Sequence, residues 1–440
     1  MESSHDSVVR IALLGCGNVG AALVELLSDP ARREELRQRT NLDLQLVGIG
    51  VRDLNKQRSS ASWFPSDLVT DDLDGLLGRD DIDLVVELLG GIEPAAGFIR
   101  SSLEHGRPVV SANKALLAEQ GVALSALAAD NGVDLNFEAA VAGAVPVIRT
   151  LRISLAGESV NRVLGIVNGT TNYILSTMAT EGSDYAHVLG DAIALGLAEA
   201  DPTADVEGFD AAAKAAILAG LAFGSVVPLD QVFREGITKI RSVDMAFARQ
   251  FGYCIKLLAI AERVGDDEMS VRVHPAMVPL SHPLAQVDGA YNAVFIEGMA
   301  AGSLMLYGQG AGGMPTASAV LGDIIDAARN AATKSPAPAL SNDANYSVIA
   351  LDSLTSEFYI SLDVVDQSGV LAQVTKVFGD HNVSIRSMEQ VGIGEEARLI
   401  FLTHEATERD LAATIHDLEA LSVVDAVGGV IRVIGQSEDL

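Results

Sequence analysis

Charge and apolarity meet most sharply where the chain reads Gly196-Leu197-Ala198-Glu199-Ala200-Asp201-Pro202 and then continues from Thr203 to Asp210-Ala211-Ala212-Ala213-Lys214. Gly196 can close the preceding helix, and Asp201-Pro202 marks a loop. A helix over 207–223 then places Asp210 and Lys214 four residues apart, on one face. Lys214 is the only charged residue between Asp210 and Asp230, in a run of Ala, Ile, Leu and Phe. It is therefore expected to be partly desolvated, with the neighbouring carboxylate favouring its charged form. Such an ammonium can give a proton to an oxygen that is gaining negative charge. Glu199, in the loop, could hold the ammonium of a substrate. The plainer alternative is a helix ion pair worth about 0.3–0.5 kcal/mol beside an acidic first turn that suits the helix dipole. Spacing by itself does not choose between the two.

Gly15-Cys16-Gly17-Asn18-Val19-Gly20 follows a short β-branched run and opens a helical pattern. This is the context a dinucleotide fingerprint requires. Gly15 permits the tight turn, Gly17 lets a pyrophosphate approach the backbone, and Gly20 lets helix and strand pack closely, with Asn18 and Val19 at the helix N-terminus. After the second strand the chain reads Gly50-Val51-Arg52-Asp53-Leu54-Asn55-Lys56. An acid at this point holds ribose hydroxyls, whereas a 2′-phosphate needs a cation. Arg52 comes first, with Lys56 near it, which leans the reading to NADP(H); Asp53 is the counterweight and leaves NAD(H) open.

Further candidates are weaker taken one at a time. Asn168-Gly169-Thr170-Thr171-Asn172 joins a strand to a helix and could bind a substrate carboxylate or cap the helix. Lys114, in Ser111-Ala112-Asn113-Lys114, follows a strand at the carboxyl edge of the sheet, where open α/β folds bind ligands. Glu138 and the small residues Val141-Ala142-Gly143-Ala144-Val145 form a bend that could wrap a hard cation in oxygen ligands. A second glycine loop, Tyr307 to Thr316, could contact the cofactor or simply turn the chain. The eight histidines are scattered, and there is neither zinc spacing, nor a Gly-x-Ser-x-Gly elbow, nor a Walker-type loop.

The elements that must position these groups fall into three stretches. Strands at 8–14, 44–49, 84–88 and 109–111 alternate with a helical pattern running to about residue 38 and with helices at 94–105 and 115–131. That order implies a parallel, doubly wound, Rossmann-like sheet over residues 1–140; the family resemblance given below implies that part of 310–345 completes it. Residues 141–345 read as mixed α+β, with strands at 147–155 and 163–167 and helices at 171–180, 184–195 and 207–223; the family resemblance given below makes this stretch the catalytic and dimerisation domain. Their periodicity does not dictate a topology. Pro336, Pro338 and Ser341-Asn342-Asp343 mark a linker within 333–352. The remainder, 356–440, has strands at 357–365, 383–391, 397–404 and 423–433, helices at 370–380 and 408–421, and turns at 366–369 and 392–394. The order βαββαβ predicts one antiparallel, ferredoxin-like sheet with both helices on one face.

Composition sets the outer limits. The 440 residues suffice for about three domains, and with 49% apolar and 20% charged residues they can bury a large core. Fifty-nine acidic against 30 basic residues leave a net charge of −29, which repels phosphate backbones and anionic lipid; nucleic acid and membranes are poor partners. Residues 1–6 lack the features of a secretory signal. The apolar run 215–229, closed by Lys214 and Asp230, fits a buried helix better than a membrane span. Two cysteines are no disulfide framework and point to reduced thiols in the cytoplasm.

Taken together, these motifs resemble homoserine dehydrogenase in its monofunctional form with a C-terminal ACT domain, over nearly the whole chain. The resemblance rests on Gly15–Gly20, Glu87-Leu88-Leu89-Gly90-Gly91, Ala112-Asn113-Lys114, the stretch from Glu138 to Pro146, Gly165 to Leu175, the window from Glu199 to Lys214, Gly310 to Val320, and Asp366-x-x-Gly369-Val370-Leu371. It implies interconversion of L-aspartate 4-semialdehyde and L-homoserine with NAD(P)H, in threonine, methionine and isoleucine biosynthesis. It makes Lys214 the proton donor, Asp210 its positioning partner and a substrate ligand, Glu199 a homoserine ligand, and Thr170 a further substrate-binding residue. Lys114 would lie between substrate and cofactor, with Gly196, Gly310, Gly312 and Gly313 touching the cofactor. It also implies a Na+ or K+ ion held at Glu138, Val141, Gly143 and Val145, and a homodimer or homotetramer. Threonine is the effector expected at Asp366, Gly369, Val370 and Leu371. Two departures are visible: Cys16 stands at a usually aliphatic position, and Ala144 replaces a common glycine, which is expected to disturb the backbone of the cation bend.

Two rival readings follow. A 2-hydroxyacid dehydrogenase of the phosphoglycerate type also ends in an ACT-like domain, but carries its nucleotide fingerprint mid-chain. A non-catalytic NADP-binding amino-acid sensor would need neither Glu199 nor Lys214.

Overall fold

A computed structural model of the chain describes residues 7–56, 58, 64–340, 344, 346–392 and 397–435. The expectations for residues 1–6, for Ser341-Asn342-Asp343 and for the turn at Ile393-Gly394 lie outside these. The chain forms two compact units. One comprises Met1–Val163, Ala213–Leu229 and Asn292–Tyr346, and the other Leu164–Ala212, Asp230–Tyr291 and Ser347–Leu440.

The first unit is built on six parallel strands: β1 (Ser7–Leu14), β2 (Leu42–Gly50), β3 (Val69–Thr70), β4 (Leu84–Glu87), β5 (Val109–Ser111) and β6 (Leu135–Asn136). Their order, β3-β2-β1-β4-β5-β6, is that of a dinucleotide-binding sheet, with its switch point between β1 and β4. Apolar residues fill both faces of the central strands because helices cover both. Ile11, Leu13, Ile49, Leu84 and Val86 pack with Leu23, Val24 and Leu27 of the helix Asn18–Ser28. Ala317, Val320 and Ile324 of the distant helix Gly313–Thr333 join the same core.

Two local expectations need correction. The helical pattern running to about residue 38 is two helices, Asn18–Ser28 and Pro30–Thr40. Asp29 between them is extended, its carboxylate accepts the Arg32 N–H at 2.9 Å, and Pro30 starts the second helix. The strand expected over 147–155 is helical: Val147–Arg149, then one π-helical segment, Thr150–Ser154. Its β-branched residues favour a strand, but the buried Glu138 carboxylate accepts the N–H groups of Ile148 and Arg149, both at 2.8 Å. A satisfied helix start outweighs weak local propensity.

In the second unit the strands Tyr253–Arg263 and Glu268–Pro279 pair antiparallel along their length. Val424–Val433 runs parallel to the latter, with Ala276 opposite Arg432, and continues into Thr355–Val364, Arg398–Thr403 and Ile385–Val391, all antiparallel. Phe358, Ile360, Leu362 and Val364 alternate onto one face and meet Val370, Val374 and Phe378 of one helix and Leu411 and Leu418 of another. The antiparallel sheet with two helices is therefore present as the sequence predicts. The long hairpin Tyr253–Pro279 was not legible, because it is buried on both faces and shows no alternation.

Arg432 ties this sheet to the strand Phe233–Arg234 region. It bonds Glu408 at 2.5 and 2.9 Å and Glu235 at 2.9 Å, and both Arg432 and Glu408 are buried. Removing one member of such a group strands the other charge. Arg432→Met is expected to lower unfolding stability by about 3–5 kcal/mol, read from urea denaturation. An unchanged midpoint would show the pair to be energetically idle.

Among the described residues no helix is long and apolar enough to cross a membrane. Cys16 and Cys254 are both free thiols.

Candidate active site

The glycine loop is shaped by the backbones around it. Gly15 has φ +97°, and a Cβ there would stand 2.5 Å from the Leu88 carbonyl oxygen. Gly20 supports close helix–strand approach, since its Cβ would fall 2.4 Å from the Gly15 carbonyl oxygen. At Gly17 nothing lies within 4 Å of the corresponding position, leaving room for a diphosphate. Gly17 also begins the helix Asn18–Ser28, where no side chain caps the first amides. Uncapped amides at a helix N-terminus suit an anion. The second glycine loop comes to the same place: a Cβ on Gly313 would meet the Asn18 carbonyl oxygen at 3.1 Å. Gly312, at φ +122°, starts the helix Gly313–Thr333. Residues fit for NAD(P) are thus gathered from sequence positions almost 300 apart.

Beyond β2, Arg52 and Lys56 are exposed and Asp53 accepts the Asn55 N–H at 2.9 Å. A further cation, Arg58, was not singled out from the sequence. Its guanidinium donates to the carbonyl oxygens of Lys56 and Asp53. It lies near enough to Cys16 to oppose the burial that pushes that thiol's pKa up. The only sequence signal for it was a third basic residue in the same loop.

At the carboxyl ends of β4 and β5, the buried Glu87 organises the Glu87–Gly91 motif. One of its oxygens accepts the Leu89 and Gly90 N–H groups at 2.7 and 3.3 Å, and the other accepts the Ser111 hydroxyl at 2.7 Å. Asn113 donates to the Gly91 carbonyl at 2.6 Å and caps the helix that begins at Lys114 through the Leu116 N–H. Lys114 is exposed at the mouth of this edge. The role of Glu87 was readable only as an acid ending an apolar strand.

Asp210 and Lys214 lie on the helix Phe209–Phe223, 6% and 8% exposed. Desolvation strengthens any charge they present to a substrate. Asn168 caps the helix Gly169–Glu181 by accepting the Thr171 N–H at 2.9 Å, as the capping alternative expects. Its nitrogen donates to Asp205 at 2.7 Å and Asp210 at 3.0 Å, and Asp205 had gone unnoticed in the sequence. Thr170 donates to the Leu197 carbonyl at 2.7 Å, fastening the loop that carries Gly196, at φ +71°, and the exposed Glu199.

The cation bend has its left-handed residues at Ala142 and Gly143, φ +56° and +58°. Ala144 is not among them, so the alanine expected to disturb the bend stands where an L residue is at ease. Gly143 is required, as its Cβ would fall 2.4 Å from the Gly310 carbonyl oxygen. The Glu138 carboxylate is engaged by helix amides, so this bend offers a cation its carbonyl oxygens. The Val145 carbonyl accepts the Val147 N–H at 2.8 Å, which uses one of its two lone pairs. Burial raises the Glu138 pKa and pushes Asp323, which accepts the Glu138 N–H at 2.7 Å, up to about 7. Among the described residues no group of three or more His, Cys, Asp or Glu side chains is placed to hold a metal ion.

In the C-terminal sheet Gly369, φ +89°, starts the helix Val370–Asp380. Asp366 is exposed, Leu371 half-buried and Val370 buried in the core.

Three family models match the chain: "Homoserine dehydrogenase, NAD binding domain" over residues 15–138, "Homoserine dehydrogenase" over 146–325, and "ACT domain" over 358–423. The chain is 51% identical to the homoserine dehydrogenase of Mycobacterium tuberculosis, covering 97% of this chain and 98% of that one. A crystal structure of a homoserine dehydrogenase from Thiobacillus denitrificans is 37% identical, with TM-score 0.90 over 97% of this chain and 98% of that one. A hyperthermophilic archaeal homoserine dehydrogenase in complex with NADPH is 26% identical, with TM-score 0.62 over 76% of this chain and 99% of that one.

Proposed function

The chain belongs to the homoserine dehydrogenase family, NAD(P)-dependent oxidoreductases acting on a CH–OH group, and on that premise we propose how its own residues carry the reaction. The rival readings, a phosphoglycerate-type dehydrogenase and a non-catalytic sensor, are not favoured by the matches over the catalytic region. Lys214 gives its proton to the aldehyde oxygen of aspartate semialdehyde, and takes one back in the reverse direction. Asp210 orients that ammonium and binds substrate, while Glu199 receives the substrate's amino group. Lys114 faces the substrate carboxylate, and Thr170 holds the loop that brings Glu199 in. When bound, the nicotinamide supplies the hydride. The observation that carries this reading is the burial of Lys214 one helical turn beyond Asp210, on a face with no other charge.

The cofactor is NADP(H) in preference to NAD(H), held at Gly15 to Gly20 with Gly196, Gly310, Gly312 and Gly313. Arg52 and Arg58 are the cations for a 2′-phosphate. Arg52→Ala with Arg58→Ala should raise KM for NADPH by about 10- to 100-fold, the worth of lost hydrogen bonds to a charged group, and leave KM for NADH nearly unchanged. Equal losses with both coenzymes would remove these arginines from phosphate recognition. The carbonyl oxygens of Val141, Gly143 and Val145, with the Glu138 region, hold a monovalent cation. Threonine regulates through the ACT domain, around Asp366, Gly369, Val370 and Leu371, and the enzyme works as a homodimer or homotetramer.

The direct test is an initial-rate assay following NADPH absorbance with aspartate semialdehyde, repeated with NADH, with Na+ or K+, and with threonine. Semialdehyde reduction that is faster with NADPH, supported by the cation and inhibited by threonine is the expected result. Oxidation of 3-phosphoglycerate with homoserine inert would overturn the reading.

A further inference from the structure

We infer that Asn168 is a positioning residue that holds the Asp210 carboxylate in its working place by sharing one side-chain nitrogen between Asp210 and Asp205. This rests on the role proposed above for Asp210. The two ends of the Asn168 amide do separate work. Its oxygen accepts the Thr171 N–H at 2.9 Å and the Thr171 hydroxyl at 3.1 Å, which caps the helix Gly169–Glu181. Its nitrogen donates to Asp205 at 2.7 Å and to Asp210 at 3.0 Å. The site is buried, with Asn168 and Asp210 each 6% exposed.

A helix cap needs only an acceptor, which Ser, Thr or Asp supplies as well as Asn. Asn alone among them carries its donor on a different atom from the acceptor, so it can cap the helix and donate to two carboxylates at once. The need for that donor is set by the carboxylates. Asp205 belongs to the short helix Thr203–Val206 and Asp210 to the helix Phe209–Phe223. Gly208, at φ +78°, turns the chain between them, so neither helix by itself fixes the spacing of the two acids. Like charges so close repel unless a donor stands between them. Of the neighbouring charged groups, Glu207 and Arg234 are engaged with other partners. The Glu207 carboxylate accepts the Thr238 hydroxyl at 3.0 Å, and Arg234 donates to the Glu207 carbonyl at 2.7 Å. Lys214 lies one turn further along the helix. Asn168 is thus the amide on which three backbone segments converge, and a carboxylate left to drift would mis-aim the ammonium it orients.

The test uses two variants that keep a cap acceptor and lose the amide nitrogen, Asn168→Ser, whose single short hydroxyl cannot cap the helix and reach both carboxylates, and Asn168→Asp, which has no donor, with the pair Asn168→Asp/Asp205→Asn as rescue. Steady-state rates with aspartate semialdehyde and NADPH are compared with thermal unfolding and with NADPH binding by fluorescence. Asn168→Ser is expected to unfold near the parent temperature and bind NADPH normally, while kcat falls by about 100-fold, the scale of an ångström of misplacement. Asn168→Asp should fall further, and the pair, which restores one donor between the two side chains, should regain at least about tenfold over Asn168→Asp. If Asn168→Asp fails to fold, the Ser variant decides. Parent-like kcat in Asn168→Ser, or no rescue by the pair, overturns the clamp while leaving the dehydrogenase reading intact. Absence of semialdehyde reduction in the parent overturns that reading, and the clamp with it.

Discussion

Lys214→Met is expected to lower kcat for semialdehyde reduction by about 10³-fold, within the usual reach of a positioned general acid. Methionine approximates the length and apolar stem of lysine and ends without a proton to give. The side chain it replaces is 8% exposed on a helix whose other neighbours are alanine, leucine and isoleucine. The substitution should therefore leave the fold and NADPH binding close to those of the parent, because neither the helix start nor the glycine loop is touched. Stopped-flow single turnovers would show whether the loss lies in the chemical step. Fluorescence titration with NADPH would show whether the coenzyme still binds. A variant that reduces the semialdehyde at the parent rate would remove Lys214 from proton transfer. The same variant separates the enzyme from a sensor, for which turnover has no meaning and NADPH binding is all that matters.

Gly15→Val is expected to abolish measurable NADPH binding and to cost about 3 kcal/mol or more of stability, from positive-φ strain together with overpacking. The valine would have to adopt φ +97° with its Cβ 2.5 Å from the Leu88 carbonyl oxygen. That oxygen cannot easily retreat, because the Leu88 N–H is bonded to the Leu14 carbonyl at 2.7 Å across β1 and β4. Relief would open the two strands at the switch point, where the diphosphate must lie. Gly17→Ala is the control: with nothing within 4 Å of the added methyl, the fold should persist while NADPH affinity drops. Urea denaturation and coenzyme titration on the two variants check both halves. Equal stability loss in the two, or full affinity in Gly15→Val, would contradict the division of labour between these glycines.

Much of this protein is written in short-range pattern. The parallel sheet was legible because buried β-branched runs alternate with helices, and the strand order places the glycine loop at its switch point. The C-terminal sheet was legible because Phe358, Ile360 and Leu362 alternate and its turns carry glycine. Asp210 and Lys214 stood out because the helix period makes four residues one face. What the sequence could not settle depended on atoms remote in the chain. The helix at 147–149 forms where β-branched residues favour a strand, since Glu138 satisfies its first amides. Arg58 was one basic residue among several until the loop tied its guanidinium to the carbonyl oxygens of Lys56 and Asp53. Asp205 was part of an acidic loop until one amide joined it to Asp210. Local spacing determines periodicity, turn chemistry and the composition of a face. Which buried acceptor meets which donor is decided by packing, because a desolvated polar group takes whatever partner the fold delivers to it.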